Sequence, residues 1–127
     1  MALKDVKYAI LGLDNAGKSS FLQVFRQIYG FEEIIAHIQP TVRIDHIKYQ
    51  ILDINVHFWD FGGQRSYREQ YLREPQSFSN TSILLFIIDV QDEERFSLSM
   101  DYLNQILEIL KEFGFSSLIP IQICFTK

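Results

Sequence analysis

Cysteine is nearly absent. Cys124 is the single one in 127 residues, so no disulfide can close within the chain. Its place in the apolar run Leu118–Phe125 makes it a small buried hydrophobe, in keeping with a reducing compartment. Long hydrophobic runs are missing too. The longest, Ile83–Ile88 (ILLFII), falls far short of the roughly 18 residues a membrane-spanning helix needs. There is no surplus of positive charge: the net charge is −4, which excludes a broad nucleic-acid-binding face. The first ten residues, MALKDVKYAI, lack the apolar stretch of a secretory signal, and Ala2 stands where N-myristoylation needs glycine. Low-complexity segments and internal repeats are also missing. A cytoplasmic protein is therefore expected, with residues 1–127 as a single domain.

What is present is an alternation of β-rich and amphipathic segments. Val6–Leu13 reads as a buried first strand, and Lys18 to Tyr29 as a helix with Phe21, Leu22, Phe25 and Ile28 on one side. Gly30 stops it, the stretch Phe31–Gln39 reads either way, and Pro40 punctuates it. Val42–Ile51 and Val56–Asp60 form a hairpin around a turn at 53–55, with Val42 and Ile44 on one face. Arg65–Arg73 is a short, weakly packed helix with Tyr67, Tyr71 and Leu72, and Pro75 keeps it from running on. Ser82–Val90 is a central strand buried on both faces. A helix from Asp92 to Phe113 carries Met100, Leu103, Ile106, Leu107 and Leu110 on one stripe, and Leu118–Phe125 is the last strand. Strands separated by helices predict an α/β fold. Its sheet is mostly parallel with helices on both faces, and the hairpin puts one antiparallel strand at the edge.

The stretch GLDNAGKSS, Gly12 to Ser20, fits G-x-x-x-x-G-K-[ST] and lies between a strand and a helix. It has little that could build a core. Its glycines let bare main chain approach a multiply charged phosphate, and the helix start adds positive dipole at the same place. Lys18 reaches the terminal phosphates and the Ser19 hydroxyl ligates Mg²⁺. The candidate nucleotide contacts are Asp14, Asn15, Ala16, Gly17, Lys18, Ser19 and Ser20. This loop indicates a nucleoside triphosphate without choosing the base. Asp60-Phe61-Gly62-Gly63-Gln64 follows a strand whose end shares the carboxyl edge of the sheet with the first loop. There Asp60 suits the metal, the Gly63 N–H a γ-phosphate oxygen, and Gln64 an attacking water. Thr41, after Pro40, offers a hydroxyl to Mg²⁺ and an N–H to the γ-phosphate, contacts that would order its loop only with triphosphate present.

With GLDNAGKSS (12–20), PTV (40–42), WDFGGQ (59–64) and IIDVQDEERF (87–96), the chain resembles a P-loop small GTPase of the Ras superfamily, and most of all its Arf branch. Asp14 and Trp59 carry the Arf preference, while 67–90 has some Rag-like character. The resemblance implies GTP and GDP as ligands, Mg²⁺, slow hydrolysis, and two conformations read by effectors, exchange factors and activating proteins. It assigns Lys18 and Ser19 to the phosphates and magnesium, and Thr41 to the first switch. Asp60 and Gly63 go to the second switch, Gln64 to positioning the water, and Lys127 to packing on the base. Arg65 and Arg68 are expected in solvent or against a partner.

The sequence departs from that family in three places. It begins five residues before its first strand rather than with an amphipathic, lipidated helix, so membrane contact is expected to be peripheral at most. Arg43 stands where the family has glycine. The sequence stops at Thr126-Lys127, within the Asn/Thr-Lys-x-Asp motif that reads guanine. The last strand and helices of the family are then missing, and apolar residues of the first and central strands are expected at the surface. Three functions fit this pattern: a GTP-binding switch; a truncated module that docks a partner or a second copy through that face, with little hydrolysis; and, more weakly, an ATP-using P-loop enzyme.

Overall fold

A computed structural model describes residues 4–29, 33–38, 43–114 and 119–126. Gly30, Pro40, Thr41, Val42, Leu118 and Lys127 lie outside them, as do the side chains of Phe25 and Ile28. Six strands form one sheet in the order β2-β3-β4-β1-β5-β6. They are β1 (Lys4–Gly12), β2 (Glu33–Ile38), β3 (Arg43–Ile51), β4 (Ile54–Phe61), β5 (Ile83–Asp89) and β6 (Ile121–Thr126). The helices are α1 (Lys18–Tyr29), α2 (Arg65–Arg73) and α3 (Phe96–Glu112), with 3-10 turns at Pro75–Phe78 and Glu93–Arg95.

β1 runs parallel to β4 and β5, and β5 parallel to β6, as strands joined through helical crossovers should. β3 alone is antiparallel to both of its neighbours. It stands one place in from the described edge, because the ambiguous stretch before Pro40 supplies β2 outside it. The hairpin turn falls at Leu52-Asp53, one residue earlier than expected, with Leu52 in the left-handed region at φ 54°.

Strand alternation divides the core into two clusters. On one face Ala9, Leu11, Phe61, Leu84 and Phe86 pack under α2, α3 and the 75–78 turn, through Tyr71, Phe78, Tyr102, Leu103, Ile106 and Leu110. On the other, Ile10, Ile47, Tyr49, Phe58, Leu85 and Ile87 pack under α1 through Leu22 and Phe21.

Several expectations change. Met100 is exposed rather than on the α3 stripe, because Ser99, Tyr102, Leu103, Ile106 and Leu110 share the buried side and Met100 stands one residue, about 100°, round the helix from Ser99. α2 is anchored rather than loose, since Tyr71 is 1% exposed and stands edge-on to Phe61. Among the described strand residues the exposed large apolar side chains are not on β1 and β5, whose Ile10 and Leu85 are buried, but on β6, at Ile121, Ile123 and Phe125. Cys124 is half-buried rather than buried, because its β6 is the end strand of the described sheet.

Candidate phosphate-binding site

β1 and β4 are paired with Ile10 opposite Asp60, and β1 and β5 with Gly12 opposite Ile87. Both candidate loops therefore leave the same carboxyl edge of the sheet, where ligands of parallel α/β folds bind. Gly12 is required there by close approach, because a Cβ would stand 2.7 Å from the Ile87 carbonyl oxygen. Asn15 is left-handed at φ 63°, a conformation Asn tolerates. Gly17 is left-handed at φ 100°, and a side chain on it would press on Thr126. Thr126 Oγ1 donates to the Ala16 carbonyl at 2.6 Å and so ties β6 to the loop. The Ala16 N–H donates back to Leu13, and the Phe21 N–H to Gly17, which starts α1.

The second loop lies directly against the first. The Asp14 N–H donates to the Gly63 carbonyl at 3.1 Å. A Cβ on Gly63 would fall 2.5 Å from the Asp14 nitrogen and from the Leu13 carbonyl carbon, so any side chain there would push the loops apart. Lys18 crosses between them. Its Nζ donates to the Phe61 carbonyl at 2.7 Å and stands 3.8 Å from Asp60 Oδ1, with only 10% of the side chain exposed. Desolvation by burial lowers the Lys18 pKa, while the charges of Asp60, Asp14 and Asp45 push it back up.

The two loops enclose a cavity of about 490 Å³. Its lining includes Asp14, Asn15, Ala16, Gly17, Lys18, Ser19, Ser20, Asp60, Gly63 and Gln64, every expected site residue among those described. Thr41 and Lys127 lie outside the described residues. Gln64 is exposed at the start of α2.

Sequence reasoning missed three lining residues: Asp45, Gly62 and Tyr67. Asp45 is paired directly with Asp60 across β3 and β4, so both carboxylates leave the same face of the sheet. The signal for it is the hairpin register, which places the two acids opposite each other only if the turn sits at 52–53. Arg95 was missed as well. Its Nη2 donates to Asp14 Oδ1 at 2.5 Å and its Nη1 to the Asp14 carbonyl at 2.9 Å. Arg68, by contrast, turns toward the Tyr102 ring, 5.5 Å from its centroid, and Arg65 is in solvent beside Glu69.

The oxygen donors at the cavity wall, a hydroxyl at Ser19 and carboxylates at Asp45 and Asp60, are of the hard type that suits magnesium. Among the described residues no three His, Cys, Asp or Glu side chains gather to hold a metal unaided.

Comparison with known proteins agrees with this geometry. The G domain of the T. maritima FeoB iron transporter superposes with a TM-score of 0.56, covering 95% of this chain and 87% of that one. At 18% identity this likeness concerns the fold, which is that of a P-loop GTPase domain. ADP-ribosylation factor-like protein 3 of Caenorhabditis elegans is 31% identical over 106 residues, covering 83% of this chain and 53% of that protein. ADP-ribosylation factor-like protein 3 of Chlamydomonas reinhardtii is 32% identical over 115 residues, covering 91% and 60%. The chain thus spans little more than half the length of these curated relatives. The model of the ADP-ribosylation factor family matches residues 1–119, nearly the whole sequence, and the chain belongs to that family.

Proposed function

We propose that the chain, read as one domain over 1–127, is the nucleotide-holding part of a GTP-binding switch. The observation that carries this is the cavity shared by residues 14–20 and 60–64, with Lys18 bridging the two loops at Phe61 and Asp60. In this reading the loop amides and Lys18 hold the phosphates of GTP or GDP. Ser19, Asp60 and, from its own loop, Thr41 hold Mg²⁺, which when bound neutralises phosphate charge. Gly63 meets the γ-phosphate, Gln64 orients the attacking water for slow hydrolysis, and Lys127 packs on the base. Effectors, exchange factors and activating proteins read the segments around Thr41 and 60–64. The site is cytosolic, with membrane contact peripheral at most. No helix among the described residues is long and apolar enough to cross a bilayer.

The test is titration of the full chain with GTP and with ATP in the presence of Mg²⁺. Micromolar or tighter binding with a preference for GTP is expected, and Lys18→Ala should remove it. Absence of binding to either nucleotide would sink the reading. Gln64→Leu should slow turnover and spare binding.

One observation favours the docking module as a second reading: Ile121, Ile123 and Phe125 are exposed along β6, the end strand of the described sheet. Weak, equal binding of both nucleotides, together with dimers in light scattering, would select it.

A further inference from the structure

The charge balance of the cavity is unfavourable for a polyphosphate. Among the described lining residues Lys18 is the one cation, against the carboxylates of Asp14, Asp45 and Asp60. Asp14 is the least expected of the three, because it lies inside the loop that must receive phosphate. A free carboxylate there would repel the ligand and could also turn inward to take up the loop's own N–H groups.

The fold answers this from 81 residues away. Arg95 ends the 3-10 turn that leads into α3. Its guanidinium holds Asp14 twice, by Nη2 on the carboxylate at 2.5 Å and by Nη1 on the main-chain carbonyl at 2.9 Å. Nη1 also lies 3.4 Å from Asp92 Oδ2, which fixes the fork from its own side. With the Asp14 N–H on the Gly63 carbonyl, all three polar groups of residue 14 have partners, two of them from Arg95. Arg95 itself is not on the cavity wall.

We propose that Arg95 is a positioning residue for the phosphate loop: it cancels the Asp14 charge and fixes the loop backbone in a phosphate-receiving shape. The inference rests on the nucleotide-binding reading above. It makes the family-type loop of this chain dependent on an arginine outside the loop, and it predicts a compensation of definite sign. Removing Arg95 exposes a repulsive charge, whereas removing Asp14 as well removes the reason Arg95 is needed.

The experiment is equilibrium titration of the full chain with GTP and GDP, with Mg²⁺, for wild type, Arg95→Ala, Asp14→Ala and the double variant. Loss of one compensated charge beside a polyanion in a partly buried pocket should weaken GTP binding about tenfold in Arg95→Ala. GDP binding should weaken less. The double variant should return to within about twofold of Asp14→Ala, because the repulsion has gone. Arg95→Lys should fall between, since it keeps the charge and loses the fork. The Arg95→Ala defect should shrink as salt rises from about 0.05 to 0.5 M. If Arg95→Ala does not fold, Arg95→Gln takes its place.

Equal weakness of the single and double variants, or a defect indifferent to salt, would mean that Arg95 only supports the fold, and would overturn the proposal. Unchanged GTP binding in Arg95→Ala would overturn it equally. If wild type takes up no GTP, the functional reading fails instead, and amide hydrogen exchange of residues 14–17 decides the tether. Faster exchange in Arg95→Ala, reversed in the double variant, supports it. Unchanged exchange removes it.

Discussion

The two faces of the sheet are built differently. The α2/α3 face is closed around Phe61 and keeps a smaller cavity, of about 200 Å³, at its β6 end between Ile88, Phe96, Met100 and Phe125. Phe61 is fully buried, stacked on Phe78 at 4.9 Å and edge-on to Tyr71 at 5.0 Å, while Phe86 meets Tyr102 at 5.7 Å. Two helices and a 3-10 turn cover it. Among the described residues the α1 face has one helix and keeps a second cavity, of about 410 Å³, between Tyr8, Phe21, Ile51, Val56, Phe58, Leu85, Gln122 and Cys124. Alternation along β4 ties the two together. Asp60 faces the α1 side and lines the first cavity, and the next residue, Phe61, is driven into the closed core. The closed face therefore anchors, from behind, the loops that the open face uses. Core and cavity wall are separated by one residue along the strand.

The largest effect that bears on this asymmetry is truncation of that anchor. Phe61→Ala should cost about 3–5 kcal/mol in urea unfolding, the usual range for a fully buried aromatic. It should also loosen nucleotide binding, because the Phe61 carbonyl holds Lys18. Val56→Ala, on the half-buried wall of the open cavity, should cost under about 1.5 kcal/mol, since less apolar surface returns to water. Similar losses at both positions would mean that the open face is packed as firmly as the closed one.

Much of this was legible in the sequence wherever the signal is local. α1 at 18–29 and α2 at 65–73 have the bounds that periodicity and the following Gly30 and Pro75 indicate, and the two glycine loops line one cavity as their motifs lead one to expect. The rest depends on long-range pairing. β2 is a strand because Glu33–Ile38 finds β3, and nothing within EIIAHI separates that outcome from a short helix. Met100 drew the α3 stripe off centre, because the inward position one turn before Leu103 is taken by the polar Ser99, and the apolar pattern pointed to its neighbour instead. Asp45 acquires meaning only beside Asp60, and Arg95 only beside Asp14, and no pattern along the chain measures either proximity.

A pH titration sharpens the comparison at smaller amplitude. Lys7 enters the closed side from β1, with Nζ donating to the carbonyls of Ser77 and Ser79 at 2.7 and 2.8 Å and lying 4.1 Å from the Trp59 ring centroid. Burial pushes its pKa down from 10.5 to about 8. Below about 8 both folded and unfolded chains carry the proton, and the cost of burying the ammonium is present in full. Between 8 and 10.5 the unfolded chain holds a proton that the folded one releases, so stability should rise with pH. Tyr102 opposes this at the upper end. Burial raises its pKa far above the ordinary 10, so past that pH the unfolded chain ionises first and stability falls. Lys18, also lowered by burial, adds to the rising slope. The measurement is therefore wild type minus Lys7→Met, by thermal unfolding at several pH values from 7.5 to about 9.5. Wild type should gain stability relative to the variant across that window. A flat difference would place Lys7 in a wetter environment than its two carbonyl partners indicate.

The smallest effect is expected on the outer side of α2. Arg65 Nε donates to Glu69 Oε1 at 3.0 Å, closer than the buried Lys18–Asp60 pair at 3.8 Å, but the side chains are 84% and 51% exposed. Water screens the attraction and two long side chains must be ordered to make it, so such i,i+4 pairs contribute about 0.3–0.5 kcal/mol. Arg65→Ala should shift the unfolding midpoint barely beyond error, and the shift should vanish at about 1 M salt, where the screening length is near 3 Å. Arg95 pairs with Asp14 through the same chemistry at 29% and 44% exposure, and with a second bond to the main chain. If Arg65→Ala and Arg95→Ala altered GTP binding alike, the loss would reflect net charge alone, and the position of Arg95 behind the loop would count for nothing. A defect confined to Arg95→Ala places the effect in geometry, because the two variants remove the same charge from the same domain.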